Sequence, residues 1–215
     1  MKPLSACRLY TFVDTAYLDG RDPVDLAHRL CEGGADLVQV RAKGMPESAV
    51  QLLAESILPV TRAAGVRLVI NDHPRIAQSL GAEVCHLGQE DFVEAGHRKV
   101  RDLLPPEARV EFGLSTHAPD QAVWAVEAGP DYIAVGPVFA TATKPGRPAV
   151  TLDYVRWAAA NVSIPWFAIG GITLGNLDAV LDAGATRICV VSAILRTPDV
   201  ADACRDFLRR LPVAS

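Results

Sequence analysis

Glu127-Ala-Gly-Pro-Asp-Tyr-Ile-Ala-Val-Gly136 joins the end of an apolar helical pattern, a glycine and a short apolar run of strand type. The same grammar occurs three more times. It is found in Glu32-Gly-Gly-Ala-Asp-Leu-Val-Gln-Val-Arg41, in Ser79-Leu-Gly-Ala-Glu-Val-Cys-His-Leu-Gly88 and in Asp182-Ala-Gly-Ala-Thr-Arg-Ile-Cys-Val-Val191. Each reads as a helix closed by a glycine and followed at once by a strand. Gly34, Gly81, Gly129 and Gly184 recur at about fifty residues, the length of two βα units. Four further apolar runs lie between them, at 8–13, 66–70, 110–114 and 165–169, which makes eight strands. All are apolar on both faces, as parallel strands covered on both sides must be. Helical spacing of apolar residues separates them over 24–30, 48–64, 76–80, 96–104, 120–128, 152–160, 177–183 and 200–211. Asp22, Ser48, Asp120, Asp153 and Asp199 stand where first-turn acids and caps belong. Eight βα alternations in 215 residues imply a single-domain (β/α)8 barrel over 1–215; a doubly wound sheet, which usually stops at five or six strands, is the alternative.

Composition narrows the function classes. Half of the residues are hydrophobic, enough for a large core. The net charge of -4, with no basic block, argues against a nucleic-acid surface. No apolar run is long enough to span a bilayer. Leu4-Ser-Ala-Cys7 mimics a lipoprotein cleavage site but has no apolar stretch before it, so export is not expected. The five cysteines, Cys7, Cys31, Cys85, Cys189 and Cys204, are odd in number and contain no Cys-x-x-Cys, so reduced thiols in a cytoplasmic protein are expected.

In such a barrel, chemistry sits at the C-terminal strand ends. There the chain places Asp14, then Gln39-Val-Arg41-Ala-Lys43, Asn71-Asp72, His86-Leu-Gly-Gln-Glu-Asp91, Ser115-Thr-His117, Gly170-Gly171 and Val191-Ser192. The sixth strand is followed by Gly136-Pro-Val-Phe-Ala-Thr-Ala-Thr-Lys-Pro-Gly-Arg-Pro148, whose hydroxyls and cations suit an anionic ligand. Its stretch 145–150 has no regular pattern and reads as a closing loop hinged on glycine and proline. Gln39, Arg41 and Lys43 alternate and so share one face, while Val38 and Val40 go to the core. Asp72 and Asp91 follow neighbouring strands. Each alone reads as a helix cap; as a pair beside cations they suit Mg2+, which takes few carboxylates, several waters and substrate phosphate. Gly171, Val191 and Ser192 form the phosphate site usual after strands seven and eight. Two phosphate subsites follow, one metal-assisted and one metal-free. Among the histidines, His86 reads as packed and hydrogen-bonded, His28 and His97 as surface residues, and His73 and His117 as rim residues with no metal-ligand spacing. Tyr132 and Phe139 read as core packing before they read as pocket walls.

Val38-Gln-Val-Arg-Ala-Lys43, Ile70-Asn-Asp72, His86-Leu-Gly-Gln-Glu-Asp91, Gly113-Leu-Ser-Thr116, Asp131-Tyr-Ile-Ala-Val-Gly-Pro137, Thr141-Ala-Thr-Lys144, Ala168-Ile-Gly-Gly-Ile172 and Val191-Ser192 together resemble the thiamine-phosphate synthase family. The resemblance runs over nearly the whole chain. It implies a transferase joining 4-amino-2-methyl-5-(diphosphooxymethyl)pyrimidine to a thiazole phosphate, with diphosphate released. It further implies that Gln39, Arg41, Lys43, Asn71, Ser115 and Lys144 bind the pyrimidine diphosphate. Of these, Arg41, Lys43, Ser115 and Lys144 would stabilise the departing charge. Asp72 and Asp91 would hold Mg2+, and Thr141, Thr143, Gly171, Val191 and Ser192 would take the thiazole phosphate. The expected chemistry is dissociative and needs no protein nucleophile, so positioning and charge carry it. Ala42 stands where the family often has an acid, and Ala149-Val-Thr151 lacks a glycine often found before the next helix.

The partners implied are small-molecule substrates, not nucleic acid or membrane, and a homo-oligomer stays open. Two other functions remain: a thiazole tautomerase-like isomerase with a rim histidine as acid and base, and a phosphate-ligand sensor without turnover.

Overall fold

The computed structural model describes residues 1–141 and 149–213. Eight parallel strands close into a barrel in the order of the chain. They are β1 (Leu9–Asp14), β2 (Leu37–Arg41), β3 (Arg67–Asn71), β4 (Val84–Leu87), β5 (Glu111–Thr116), β6 (Tyr132–Val135), β7 (Trp166–Ile169) and β8 (Ile188–Cys189). Pairing of Leu9 with Ile188 and of Tyr10 with Cys189 closes the ring. The outer helices are α1 (Pro23–Glu32), α2 (Glu47–Ala63), α3 (Pro74–Leu80), α4 (Gln89–Glu94), α5 (Pro119–Ala128), α6 (Thr151–Asn161), α7 (Leu177–Asp182), α8 (Ser192–Leu195) and α9 (Val200–Arg210). The expected (β/α)8 barrel is therefore what forms.

Local signals explain most boundaries. Asp22 accepts from the amides of Val24 and Asp25 and starts α1 one residue before its proline. Asp199 accepts from the Asp202 amide and starts α9. Ser48 lies inside α2, which has Pro46 at its N-cap and no side-chain cap. Asp120 and Asp153 sit in first turns, where acids meet the positive helix end. The four repeating glycines all have positive φ, 66° to 99°, so the helix-ending role read from their spacing holds.

One helix falls elsewhere than expected. The span 96–104 holds only a single 3-10 turn, Val100–Asp102, while the helix after β4 is α4. Gly96 has φ 79°, which breaks any helix through it, and Glu90 and Asp91 favour an earlier start.

The barrel interior is aromatic. Tyr10 stacks on Phe12 with ring centroids 5.4 Å apart, and Tyr10 and Tyr132 each meet Phe167 edge to face. Tyr132 is fully buried and does not line the cavity described below, in keeping with its reading as core. Room for its ring comes from Gly113, its partner in register on β5. A Cβ on Gly113 would lie 2.1 Å from the Tyr132 ring carbon Cζ.

No disulfide joins any of the five cysteines, and four of them are buried. Burial pushes the Cys7 and Cys31 thiols up to about 11 and that of Cys204 up to about 12. No helix among the described residues is long and apolar enough to cross a membrane.

Candidate functional site

A cavity of about 290 Å3 opens at the C-terminal ends of the strands. Gln39, Arg41, Lys43, Asn71, Asp72, Asp91, Ser115, Thr141, Gly171, Val191 and Ser192 all line it. These are eleven of the residues singled out from sequence; the other two, Thr143 and Lys144, lie outside the described residues, as does most of the loop 145–150.

The alternation on β2 works as expected. Val38 and Val40 are fully buried, and Gln39, Arg41 and Lys43 face the cavity. Arg41 is not a free cation, however. Its guanidinium donates to Asp14 Oδ2 at 2.7 Å, and Asp14, paired with it in register at the end of β1, is 1% exposed. Asp14 Oδ1 also accepts from the Ala16 amide, which fixes the carboxylate under the arginine. The sequence marks Asp14 only as a strand-end residue; its register partner Arg41 on β2 gives it its role. Lys43 is half exposed, its Nζ 3.6 Å from Asp72 Oδ2.

Neither acid is a cap. The helix α3 has His73 at its N-cap and no side-chain cap, and α4 begins after Gly88 with Asp91 as its third residue. Asp72 instead adopts φ 66°, a region that non-glycine residues visit mainly as Asn, Asp or His. Its amide donates to the His86 carbonyl at 2.8 Å and its carboxylate accepts from Asn71 Nδ2 at 2.6 Å. Asp91 folds its Oδ2 back to 2.7 Å from where a Cβ on Gly88 would stand. Gln89, between them in sequence, carries the one buried side-chain oxygen among the described residues that has no hydrogen-bond partner, Oε1, and it too lines the cavity. Two carboxylates, an orphaned amide oxygen and room for water make a hard oxygen donor set of the kind Mg2+ takes. No cluster of three or more His, Cys, Asp or Glu side chains suited to a metal occurs among the described residues, so a fully protein-built cage is absent there.

Opposite lies the glycine turn at which a phosphate is expected. Gly170 and Gly171 have φ 104° and 65°, and a Cβ on Gly171 would stand 2.8 Å from the Ala140 carbonyl oxygen. Asn176 braces this turn, donating to the Gly171 carbonyl and accepting from the Thr173 amide. Val191, with φ -110° and ψ -89°, lies two residues past β8 and precedes Ser192, the first residue of the four-residue α8.

In the cavity wall runs a set of contacts that sequence did not reveal; Tyr10, Gln39, His86 and Ser115 line the cavity and Tyr132 lies behind them. Gln39 Nε2 donates to the Tyr10 hydroxyl, which lies 3.1 Å from the Tyr132 hydroxyl. The Tyr132 hydroxyl is 2.9 Å from His86 Nδ1, and His86 Nε2 is 2.9 Å from Ser115 Oγ. His86 is thus packed and hydrogen-bonded as expected, but it is also the support of a cavity residue. Burial pushes the Tyr10 and Tyr132 phenols well above their ordinary range, so both stay protonated. Of the rim histidines, His117 lines the cavity and pairs Nδ1 with the Gly136 carbonyl, whereas His73 sits outside it, 3.5 Å from Glu47.

A parallel eight-stranded barrel with its polar side chains gathered at the C-terminal strand ends is the architecture of the barrel enzymes. The thiamine monophosphate synthase family model matches residues 9–194, and the chain belongs to that family. It is 50% identical over 193 residues to the thiamine-phosphate synthase of Thermus thermophilus, covering 87% of this chain and 88% of the relative. It is 43% identical over 214 residues to that of Acidothermus cellulolyticus, covering 99% and 98%. The solved thiamine phosphate pyrophosphorylase of Pyrococcus furiosus superposes with a TM-score of 0.82 at 26% identity, covering 97% of this chain and 96% of that one. Tryptophan synthase of Mycobacterium tuberculosis, at TM-score 0.68 and 15% identity, shares the fold alone.

Proposed function

We propose that the protein condenses 4-amino-2-methyl-5-(diphosphooxymethyl)pyrimidine with a thiazole phosphate at this cavity, giving thiamine phosphate and diphosphate. The observation that carries the reading is convergence: eleven residues contributed from the ends of several strands line a single cavity. Family membership supports the reaction, and the chemistry of the side chains supports their roles. The C–O bond of the diphosphate ester breaks with its electron pair leaving on diphosphate. The thiazole nitrogen lone pair then closes the new C–N bond on the pyrimidinylmethyl cation. Neither step needs a protein nucleophile or base.

Lys43 and Lys144 offer charge to the departing diphosphate, and Arg41 does so with Asp14 holding its orientation. Asn71 and Ser115 orient the diphosphate, and Gln39 orients the pyrimidine. Asp72 and Asp91 would hold Mg2+, and Gln89 lines the same cavity; bound there, the ion would supply positive charge against the developing anion. Thr141, Thr143, Gly171, Val191 and Ser192 take the acceptor phosphate. An isomerase would instead need a free acid and base at the rim, yet His117 commits one ring nitrogen to the Gly136 carbonyl. Five cysteines outside any disulfide fit a reducing compartment, and we place the protein in the cytoplasm.

The deciding experiment mixes the purified protein with both substrates and Mg2+ and follows thiamine phosphate. Binding of both substrates with no product would overturn the transferase reading in favour of a sensor.

A further inference from the structure

The contacts in the cavity wall have a direction, and it follows from counting protons. Gln39 Nε2 can only donate, so the Tyr10 oxygen accepts from it. Tyr10 is protonated and 1% exposed, and its one other hydrogen-bond partner among the described residues is the Tyr132 hydroxyl. A buried hydroxyl left without an acceptor is costly, so the Tyr10 proton points at Tyr132. The Tyr132 oxygen then accepts, and its own proton has His86 Nδ1 as the remaining partner. An Nδ1 that accepts leaves the imidazole proton on Nε2, which donates to Ser115 Oγ at 2.9 Å. The Ser115 oxygen thereby accepts from His86, so its own proton is not spent there and is left for the cavity that Ser115 lines.

We propose that this one-way chain, from Gln39 through Tyr10, Tyr132 and His86, holds Ser115 as a hydrogen-bond donor to an anionic ligand. His86 is a positioning residue in its neutral Nε2–H form. It is not the base of a serine nucleophile, because the nitrogen facing Ser115 already carries the proton. Ser115 could give its proton to His86 only if the chain reversed, so while the chain holds that proton stays available to a phosphate oxygen in the cavity. This extends the proposed function, since it assigns the diphosphate end of the substrate to a preset donor.

Long-range 15N–1H NMR of the imidazoles tests it in the ligand-free protein, with the His86 signals assigned from a His86→Gln sample. The expected spectrum has a pyridine-type Nδ1 and a pyrrole-type Nε2. A protonated Nδ1, alone or together with Nε2, overturns the proposal whatever the enzyme does. Tyr132→Phe, which keeps the ring and removes only the hydroxyl, should shift the His86 Nδ1 resonance. It should also weaken binding of inorganic diphosphate with Mg2+ about tenfold, as Ser115→Ala should. An unchanged diphosphate affinity in both variants also overturns it. If the tautomer and both affinities are as expected but no thiamine phosphate forms, the chain stands and the transferase reading fails.

Discussion

Gly113→Ala should be far more costly than its chemistry suggests. The position lies in the middle of β5, where alanine is ordinarily harmless and needs no unusual backbone angle. Yet the added Cβ would stand 2.1 Å from Tyr132 Cζ, 2.3 Å from Cε1 and 2.4 Å from the hydroxyl oxygen. Carbon–carbon contact needs about 3.5 Å, so the ring must retreat by about 1.4 Å. It is caged on the far side by Tyr10 and Phe167, with centroids 6.0 and 5.4 Å away. Overpacking of this kind costs about 1–3 kcal/mol. The same retreat pulls the hydroxyl off Tyr10 and His86, and a buried polar group left unpaired adds about 1–3 kcal/mol. The sum is about 2–6 kcal/mol. Urea unfolding of wild type and variant, followed by circular dichroism and by tyrosine fluorescence to check for a single transition, measures it. The double variant Gly113→Ala, Tyr132→Leu removes the ring that the methyl strikes. It should be destabilised by less than the sum of the two single variants. A loss below about 1 kcal/mol for Gly113→Ala, or strict additivity in the cycle, would refute the argument.

Asp72→Asn and Asp91→Ala should each lower turnover strongly while stability changes by less than about 1 kcal/mol, because neither side chain caps a helix and asparagine tolerates the φ 66° of position 72; full activity in excess EDTA would sink the metal assignment. Ser192→Ala should raise the KM for the thiazole phosphate more than that for the pyrimidine diphosphate. Gly171→Val is the poorer probe, since φ 65° and the Ala140 carbonyl 2.8 Å away would strain the fold itself. Lys144→Ala should lower kcat more than either KM, as a charge that acts on the departing oxygens must, and equal changes in KM alone would count against it. With Cys7 and Cys31 raised to about 11 and Cys204 to about 12, thiolate is scarce at pH 8. A disulfide reagent should therefore titrate fewer than one thiol per native chain at that pH and all five after unfolding; rapid native reaction would contradict the burial.

The barrel was legible in the chain because its causes are local. A helix ends at Gly34, Gly81, Gly129 or Gly184 wherever it sits, and an apolar strand follows. Alternation alone put Gln39, Arg41 and Lys43 on one face, and the rule that barrels work at their C-terminal strand ends gathered the remaining rim residues. The helix at 96–104 was misread because apolar spacing continues through a glycine whose backbone angle forbids it. The partners of Arg41, Asp72 and Ser115 were not legible at all. Asp14 meets Arg41 through the register of β1 on β2, and Asp72 turns from helix cap to cavity acid through a single left-handed backbone angle. His86 meets Tyr132 and Ser115 because strands four, five and six bend into one wall. Spacing along a chain determines which residues share a face; which groups of different strands share a proton is decided only when the ring closes. Distances of about 3 Å between strands depend on stagger and on the room left by one missing methyl at Gly113, and neither leaves a periodic trace in the sequence.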